Sequence, residues 1–580
     1  MHIRLAQAGA LVVAVPLAIS TAVAAGAATP AASTTIYVTN TSDSGTGSLR
    51  DAILEANDPT LAWDTIAFNI NGSGQQVITP VNNLPAFTAP VTLDGYTQSG
   101  ASPATEASAA VLNIVIDARN TTRGLALNTN NSYVRGLVIT GSRGNGIDVN
   151  GKNNRVDGNY VGLTAAGTAA GNGGDGIQVS GTANIIGAGD PSTRNVVSAN
   201  EGAGVEVVSG RDNAVAYNYV GTGVNGTSDL GNGGDGVLVD ADDTIVDSNI
   251  IGGNGGNGVL LQGAAGKVVG NQIGVSSTGT LPSVISNDLD GVRVAGADAT
   301  IGEYLAGNTI GANLGNGIRL ASTGASVAAN YVGTDDNGQV LYGNLVDGVR
   351  VDGSQNVIGG PDATSANVVS GNDQRGVHVV GNGNQVLRNL VGTAPNGLSG
   401  RPNFGPGIQV DGDRNQISDN TAAFNDGPGI EISLGLDDPM TGNSVHDNTG
   451  LGIDLAPLGS TANDVLDGDA GSNDVLNYPV VRSAVPAGTG TQIRWAVVRG
   501  LANTAMQLEF FASDACVTGD REGARPLGTV IATTDPAGNA RGTVVVPGAS
   551  TSGEGITATA TLLPVPISPT SELSACVAVS

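Results

Sequence analysis

Three arginines and one histidine recur at one place in four successive copies of a short phrase, in which glycine is followed by an aliphatic, a variable and an aliphatic residue. The variable residues of these four phrases are Arg293, Arg319, Arg350 and His378. Stacked like charges repel and need counter-anions, and arginine binds carboxylates through two parallel hydrogen bonds. We therefore predict that the column binds a ligand such as the uronate or sulfate groups of a polysaccharide.

In a second interpretation, aspartates of the protein itself neutralise the positive charge of the column. Asp290, Asp347 and Asp352 lie close to two of these arginines in the sequence and could pair with them. The sequence leaves both interpretations open, because it does not show whether the column faces a groove or its own aspartates.

Catalytic groups are harder to single out among 51 acidic residues. A polysaccharide lyase needs carboxylates around calcium together with a basic residue, and a hydrolase needs a pair of carboxylates. Candidates are Arg350 with its neighbouring aspartates, and the adjacent acids Asp335 and Asp336. No signature separates them from the background, so the catalytic residues stay unassigned.

An acidic, glycine-bearing turn offers a possible metal site. Alternating acids in a short loop can wrap one hard cation, so we predict calcium binding there. The alternative is an acidic flexible linker without a metal. The predicted ligands are Asp464, Asp467, Asp469 and Asp474.

The phrase that carries the arginine column occurs thirteen times, at spacings of 22 to 33 residues. A period in this range is typical of solenoids. The two aliphatic residues point to one face of a strand, because they alternate with the variable residue. A second short strand follows in many repeats, so the pattern predicts a parallel β-helix, about 60 Å long at the spacing of paired strands. Polar insertions, such as 163–174 and 334–344, predict loops on one face.

Asparagines recur at the corner after each second strand. They suit the backbone conformation of a corner, either as a hydrogen-bonded ladder along the axis or as separate surface turns. The recurring residues are Asn159, Asn218, Asn249, Asn271, Asn308, Asn330, Asn389, Asn420 and Asn448.

The formal net charge of −27 argues against nucleic-acid binding, which needs basic patches. Residues 1–28 predict an export signal: basic residues precede an apolar stretch and a small-residue cleavage site. No later segment is apolar and long enough for a membrane anchor. In an exported chain the two cysteines, Cys516 and Cys576, suggest one disulfide, with two free thiols as the alternative.

Residues 39–53 read TNTSDSGTGSLRDAI, and this segment resembles the CSLREA-type N-terminal signature of secreted bacterial proteins, with Gly47 and Asp51 in place of its Cys and Glu. The segment at 93–100 and the recurring Asn-Tyr-Val-Gly strings resemble the same group. The resemblance implies secretion and a right-handed parallel β-helix of the pectate-lyase type. It leaves the activity open, because this fold serves lyases, hydrolases, tailspikes and adhesins.

The predicted organisation is all-β. It comprises an N-terminal cap with first coils at 35–115, the β-helix at 116–460, an acidic linker at 461–477 and an immunoglobulin-like β-sandwich at 478–580. We expect a monomeric, secreted scaffold that binds extracellular polysaccharide or another cell-surface component. The alternatives are a polysaccharide lyase or hydrolase that uses the loop-bearing face, and a purely structural exoprotein.

Overall fold

The computed structural model describes residues 34–60, 64–276, 283–516, 521–565 and 568–580. Three long parallel sheets run side by side along a rod, and from residue 91 onward each coil of the chain contributes one strand to each sheet. This is the predicted right-handed parallel β-helix. The predicted export signal lies outside the described residues.

The strands of the rod are short, as narrow coils require. Sheet 1 contains Thr35–Val38, Asp64–Phe68, Val91–Asp94, Tyr133–Arg135, Arg155–Asp157, Ile185–Gly187, Ala214–Ala216, Ile245–Asp247, Lys267–Val269, Thr300–Ile301, Ser326–Val327, Val357–Gly359, Gln385–Leu387, Gln416–Ser418 and Met440–Thr441. Sheet 2 contains Gln76–Ile78, Ile114–Asp117, Leu137–Thr140, Tyr160–Val161, Val196–Val197, Tyr219–Val220, Ile250–Ile251, Gln272–Ile273, Thr309–Ile310, Tyr331–Val332, Val368–Val369, Leu390–Val391, Thr421–Ala423 and Ser444–His446. Sheet 3 contains Arg123–Leu127, Asn145–Val149, Ile177–Ser180, Val205–Ser209, Val237–Val239, Val259–Leu261, Val292–Val294, Ile318–Leu320, Val349–Val351, Val377–Val379, Ile408–Val410, Ile430–Ile432 and Ile453–Leu455.

The repeated phrases form sheet 3, and their aliphatic residues fill the interior. Val349 and Val351 are fully buried, whereas Arg350 between them points outward. The same alternation continues from coil to coil, so one apolar core runs along the whole rod. An antiparallel pair, Val275–Ser276 with Ser283–Val284, flanks one insertion.

A helix, Leu49–Ala56, closes the N-terminal end of this core. Ser48 caps it, because its side chain accepts a hydrogen bond from the backbone N–H of Asp51. Leu49 and Ile53 are fully buried in the same cluster as the first strands. The helix belongs to the segment that resembles the CSLREA signature, and its position gives that segment a capping role. No helix among the described residues is long and apolar enough to cross a membrane.

Buried asparagines form ladders along the corners of the rod. In each ladder the side-chain Nδ2 donates to the Oδ1 of the asparagine one coil further on, at 2.8–3.1 Å. The ladder at the corner between sheets 1 and 2 contains Asn159, Asn195, Asn218, Asn249, Asn271, Asn308, Asn330, Asn367, Asn389, Asn420 and Asn443. The ladder between sheets 2 and 3 contains Asn172, Asn200, Asn232, Asn254, Asn287, Asn313, Asn344, Asn372, Asn403, Asn425 and Asn448.

The insertions fold over the outer face of sheet 2. Leu163 packs there in one cluster with Tyr160 and Tyr219, and Val224 and Leu230 of the next insertion lie against the same cluster. The loop-bearing face and the arginine column are therefore different faces of the rod, since the column belongs to sheet 3.

The C-terminal residues form two antiparallel sheets around a core of their own. Sheet 4 contains Val480–Ala487, Gly490–Val497 and Ala540–Val546. Sheet 5 contains Arg525–Thr533, Ala505–Ser513, Gly555–Leu562 and Val577–Ala578. The immunoglobulin-like assignment stays a prediction.

The sandwich closes the C-terminal end of the rod. Phe511 and Leu573 are buried in the rod's own core, and Val445 of the last coil pairs with Gly523. Cys516 and Cys576 form a disulfide with a Cα–Cα distance of 5.5 Å, which confirms the predicted bond. An apolar core that would otherwise meet water is thus covered at both ends.

The segment predicted as an acidic linker is partly packed into this junction. Asn473 is fully buried and donates hydrogen bonds to the backbone oxygens of Asp438 and Thr570. Leu476 belongs to the sandwich core. Residues 472–477 therefore tie the last coil to the sandwich, whereas the acids before them lie nearer the surface.

Substituting Asn330 tests the ladder. Asn330→Ala removes the acceptor for Asn308 and the donor to Asn367, both at 2.9 Å, and leaves buried polar groups without partners. We expect the free energy of unfolding to fall by about 2–4 kcal/mol, measured by denaturant titration followed by circular dichroism. The control is Asn337→Ala in an exposed loop, and equal stability of the two variants would contradict the ladder's role.

Asp438 continues a third ladder, at the corner between sheets 3 and 1, which includes Asn356, Asn384 and Asn415. Its Oδ1 accepts the backbone N–H of Asn415, but its Oδ2 and the Nδ2 of Asn415 have no partner among the described residues. Burial, reinforced by the nearby Asp413 and Asp437, raises the pKa of Asp438 to about 8. An asparagine here would keep the ladder shape without a titrating group.

The pH dependence of stability tests this environment. Because the folded pKa is raised, the contribution of Asp438 to stability is complete below about pH 4 and is lost as pH rises through about 8. We expect Asp438→Asn to raise the unfolding midpoint relative to the native chain by more at pH 8 than at pH 4. A difference that does not change with pH would show that Asp438 is an ordinary ionised carboxylate.

Candidate functional site

The predicted column lies on the outer face of sheet 3, one residue per coil. Arg293 pairs in register with Arg319, Arg319 with Arg350, and Arg350 with His378. Adjacent positions are one strand spacing apart, about 4.8 Å. The phrase therefore places all four side chains along one line parallel to the rod axis.

A single carboxylate holds two of these arginines. Asp352 accepts hydrogen bonds from the Nε atoms of Arg319, at 2.7 Å, and of Arg350, at 2.8 Å. The Nη atoms of Arg319 form no hydrogen bond with any described residue, so most of its five N–H donors face outward. Arg319 and Arg350 thus pair with an aspartate of the protein itself, as the second interpretation predicts. Some N–H donors of both arginines nevertheless remain available for a ligand.

The histidine of the column is locked between two carboxylates. His378 Nδ1 lies 3.2 Å from Asp347, and Nε2 lies 2.9 Å from Asp411. Asp347 is fully buried and also lies 3.4 Å from Arg375 and 3.7 Å from Arg350. Arg350 Nη1 also lies 3.2 Å from His378 Nδ1, so these groups form one hydrogen-bonded network, here named the sheet 3 network.

Electrostatics keep the acids of this network ionised. Burial alone would raise the pKa of Asp347, but the hydrogen bond from His378 and the charges of His378 and Arg375 outweigh it, so the pKa is lowered. The pKa of Asp352 is lowered in the same way by Arg319 and Arg350, against burial. Asp411 has a lowered pKa because its hydrogen bonds with His378 and Gln409 also overcome burial.

Arg293 differs from the other three column residues. Its side chain forms no ion pair and no hydrogen bond with any described residue. The nearby Asp290 is engaged elsewhere, because its Oδ1 accepts hydrogen bonds from the backbone and side chain of Asn316. Arg293 is therefore the arginine of the column that keeps all its donors.

Further along sheet 3, the carboxyl groups of Asp175 and Glu206 are linked through one glutamine. Gln178 donates to Glu206 at 2.6 Å and to Asp175 at 3.3 Å. Burial and the hydrogen-bonded carboxyl of Asp175 raise the pKa of Glu206 to about 7, with a smaller effect of Asp240. No sequence motif marks this pair, although Glu206 occupies a variable position of the phrase.

The predicted catalytic candidate Asp335 and Asp336 lies elsewhere, on the loop-bearing face. Asp335 caps its own turn, since its side chain accepts the backbone N–H groups of Gln339 and Val340. Asp336 and Tyr331 line a cleft of about 430 Å³ between neighbouring insertions. The cleft has a tyrosine and a carboxylate but no second acid in its lining, so it lacks the pair that a hydrolase needs.

The structure brings together three of the four predicted calcium ligands. Asp464, Asp467 and Asp469 each offer an oxygen atom, and these atoms all lie within 4.8 Å of one another. Burial and the neighbouring acids raise the pKa of Asp467 to about 6. Asp474 is not part of this group; burial and then Asp437 raise its pKa. Carboxylates of this geometry suit a hard cation.

Comparisons with known proteins give structural likeness alone. No family model and no curated protein matches the chain. A PL6 family polysaccharide lyase from Pseudopedobacter saltans aligns with a TM-score of 0.33 and 14% identity, over 71% of this chain and 92% of the lyase. A mannuronan C-5 epimerase A-module from Azotobacter vinelandii aligns with a TM-score of 0.28 and 15% identity, over 69% and 94%. The tailspike of Escherichia coli bacteriophage HK620 aligns at 0.20 and 10%, over 88% of each chain. At these TM-scores the likeness concerns the fold alone and says nothing about activity.

Calcium binding at the acidic turn remains a prediction and can be tested directly. We expect millimolar calcium to raise the unfolding midpoint of the native chain, because a cation relieves repulsion among Asp464, Asp467 and Asp469. The effect should fade below about pH 6, where Asp467 becomes protonated. Asp467→Asn should abolish the shift and Asp474→Asn should keep it. A midpoint that calcium leaves unchanged at pH 8 would contradict the site.

Proposed function

We propose that this protein is a secreted scaffold that binds extracellular polysaccharide along the outer face of sheet 3. The observation that carries the proposal is the clamp of Arg319 and Arg350 on Asp352. It fixes two guanidinium groups in line while their outer N–H donors stay available. The disulfide supports export, because such bonds persist in oxidising compartments.

Pre-organisation is the physical reason why this surface suits a ligand. An arginine side chain loses considerable rotamer freedom when it binds, and an internal carboxylate removes that cost beforehand. The acids also balance the arginines, so the face offers donors and acceptors in alternation, without a strong excess of either charge. A linear polymer that carries both hydroxyl and carboxylate groups matches this alternation, and the repeated coils provide a straight track for it.

A binding experiment separates pre-organisation from simple charge attraction. Arg293→Gln with Arg319→Gln should weaken binding of uronate oligosaccharides by about tenfold or more, measured by calorimetry, since each charged hydrogen bond contributes about 1.5–3 kcal/mol. Asp352→Asn makes the face more positive, but it also releases both arginines from their fixed positions. We therefore expect this variant to bind more weakly as well.

The matched control for that experiment is Asp362→Asn. Like Asp352→Asn it removes one negative charge, but at an exposed turn. Unchanged affinity is expected for this control. Stronger binding of the Asp352→Asn variant would mean that charge alone attracts the ligand, and no binding of any glycan by the native chain would favour a purely structural exoprotein.

The pair of Asp175 and Glu206 supports a second candidate function, that of a glycoside hydrolase or lyase on the same face. A carboxyl group with a pKa near 7 can hold a proton at neutral pH and donate it to a leaving oxygen. Asp175, whose carboxyl group is hydrogen-bonded to Glu206, favours the protonated form of that acid. This second candidate uses sheet 3 and not the loop-bearing face.

Turnover of uronate polymers tests the second candidate. Reducing ends and the absorbance of unsaturated ends would report hydrolysis and elimination. If turnover occurs, Glu206→Gln should lower it at least 100-fold, and the native rate should fall above about pH 7 as the acid loses its proton. Glu431→Gln, at another variable position of sheet 3, should leave the rate unchanged. Full activity of the Glu206→Gln variant would exclude this role.

A further inference from the structure

A second charged surface lies on the C-terminal sandwich, outside every site described above. Arg482, Arg494 and Arg541 are exposed on the outer side of sheet 4. They line a shallow cleft of about 940 Å³ together with Ser483 and Thr543. Arg494 pairs in register with both of these hydroxyl residues, so the cationic and hydroxyl groups are interleaved on adjacent strands.

These three arginines have no acidic partner. None of them forms an ion pair or a side-chain hydrogen bond with any residue that the structure describes. Most arginines of the rod do pair with an acid, although Arg293 does not: Arg135, Arg155 and Arg388 each form a salt bridge with an aspartate, as Arg319 and Arg350 do. Three unpaired arginines on one small sheet are thus unusual among the described residues.

The charge of the sandwich also differs from that of the rod. Residues 478–580 contain six arginines and seven acidic residues, a net charge of −1, whereas the whole chain carries −27. Nearly all of the negative charge therefore lies on the rod and its adjoining turn. Away from sheet 3 the rod repels a polyanion, whereas the cleft on the outer side of sheet 4 holds three arginines and one acid, Asp535, and is locally positive.

The packing of the sandwich turns this surface away from the rod. In sheet 5, Leu508 and Phe510 face the sandwich core, whereas Phe511 enters the core of the rod and Glu509 accepts the backbone N–H of Gly442. Sheet 4 packs on the opposite side of that core through Ile493 and Trp495. The outer side of sheet 4 is consequently the tip of the molecule, here named the arginine tip.

We propose that the arginine tip docks the protein on an acidic polysaccharide whose repeating units carry carboxylates. Three guanidinium groups provide bidentate partners for carboxylates, and Ser483 and Thr543 between them suit sugar hydroxyls. The face carries no cluster of large apolar side chains that could enter a bilayer, which favours a glycan over a lipid surface. The proposal is independent of the ligand of sheet 3, since the two surfaces share no residue.

The test compares two triple variants of the full chain on immobilised polygalacturonate at low ionic strength. Arg482→Gln, Arg494→Gln and Arg541→Gln together remove the tip charge. Arg143→Gln, Lys152→Gln and Arg414→Gln together remove the same charge from exposed positions of the rod. Both variants are made in a chain that also carries Arg293→Gln and Arg319→Gln, so that the proposed contribution of sheet 3 is removed. In this background we expect the tip variant to bind at least tenfold more weakly than its parent, and the rod variant to bind within about twofold of it. Salt should weaken native binding by screening.

Further binding measurements identify the class of partner and distinguish this proposal from the one made for sheet 3. The Arg293→Gln and Arg319→Gln variant should keep its tip-dependent binding to the immobilised polymer. Native binding to polyphosphate or to phosphatidylserine vesicles should be weaker than to polygalacturonate. Equal losses in the two triple variants, full binding by the tip variant, or absence of native binding would overturn the proposal. Tighter binding to vesicles or polyphosphate would overturn its assignment to a glycan.

Discussion

The backbone pairing of each coil with the next is the constraint on which the rest of this protein depends. Strands of two to five residues have little stability alone, and they persist because every coil pairs on both sides and buries its aliphatic residues in one continuous core. The corners between strands would leave polar backbone groups buried. The ladder asparagines satisfy them, as Asn330 does by accepting the backbone N–H of Asn308 and donating to the carbonyl oxygen of Ile301.

This constraint also decides where function can reside. The interior and corners are committed to pairing, and the insertions cover much of sheet 2, so the outward residues of sheet 3 remain free to vary. Side chains there repeat at the strand spacing. An acid of one coil can therefore form an ion pair with an arginine of the neighbouring coil, as Asp352 does with Arg319. The open ends of the core require caps, and the sandwich that caps one end also presents the arginine tip to the surroundings.

The fold was predictable because its signals are local and periodic: the alternation around Arg350 already implies one buried and one exposed face. The disulfide followed from the presence of two cysteines in a chain with a predicted export signal. The partners of the column were not predictable, because coil length varies from 22 to 33 residues and Asp352 contacts an arginine 33 positions away. Asp438 and Asn473 were missed as ladder residues, since neither follows the repeated phrase. The arginine tip depends on which side of sheet 4 faces the rod, and sequence spacing does not determine that.

Residue-resolved amide hydrogen exchange measures the central constraint most directly. If successive coils are paired along the whole rod, the amides of the sheet 3 strands should exchange slowly without interruption from Ile147 to Ile430. The backbone amides of the ladder asparagines should be protected as strongly as the strands. Rapid exchange in the middle of this range, or protected strands separated by unprotected corners, would contradict a continuous coil and the surfaces that depend on it.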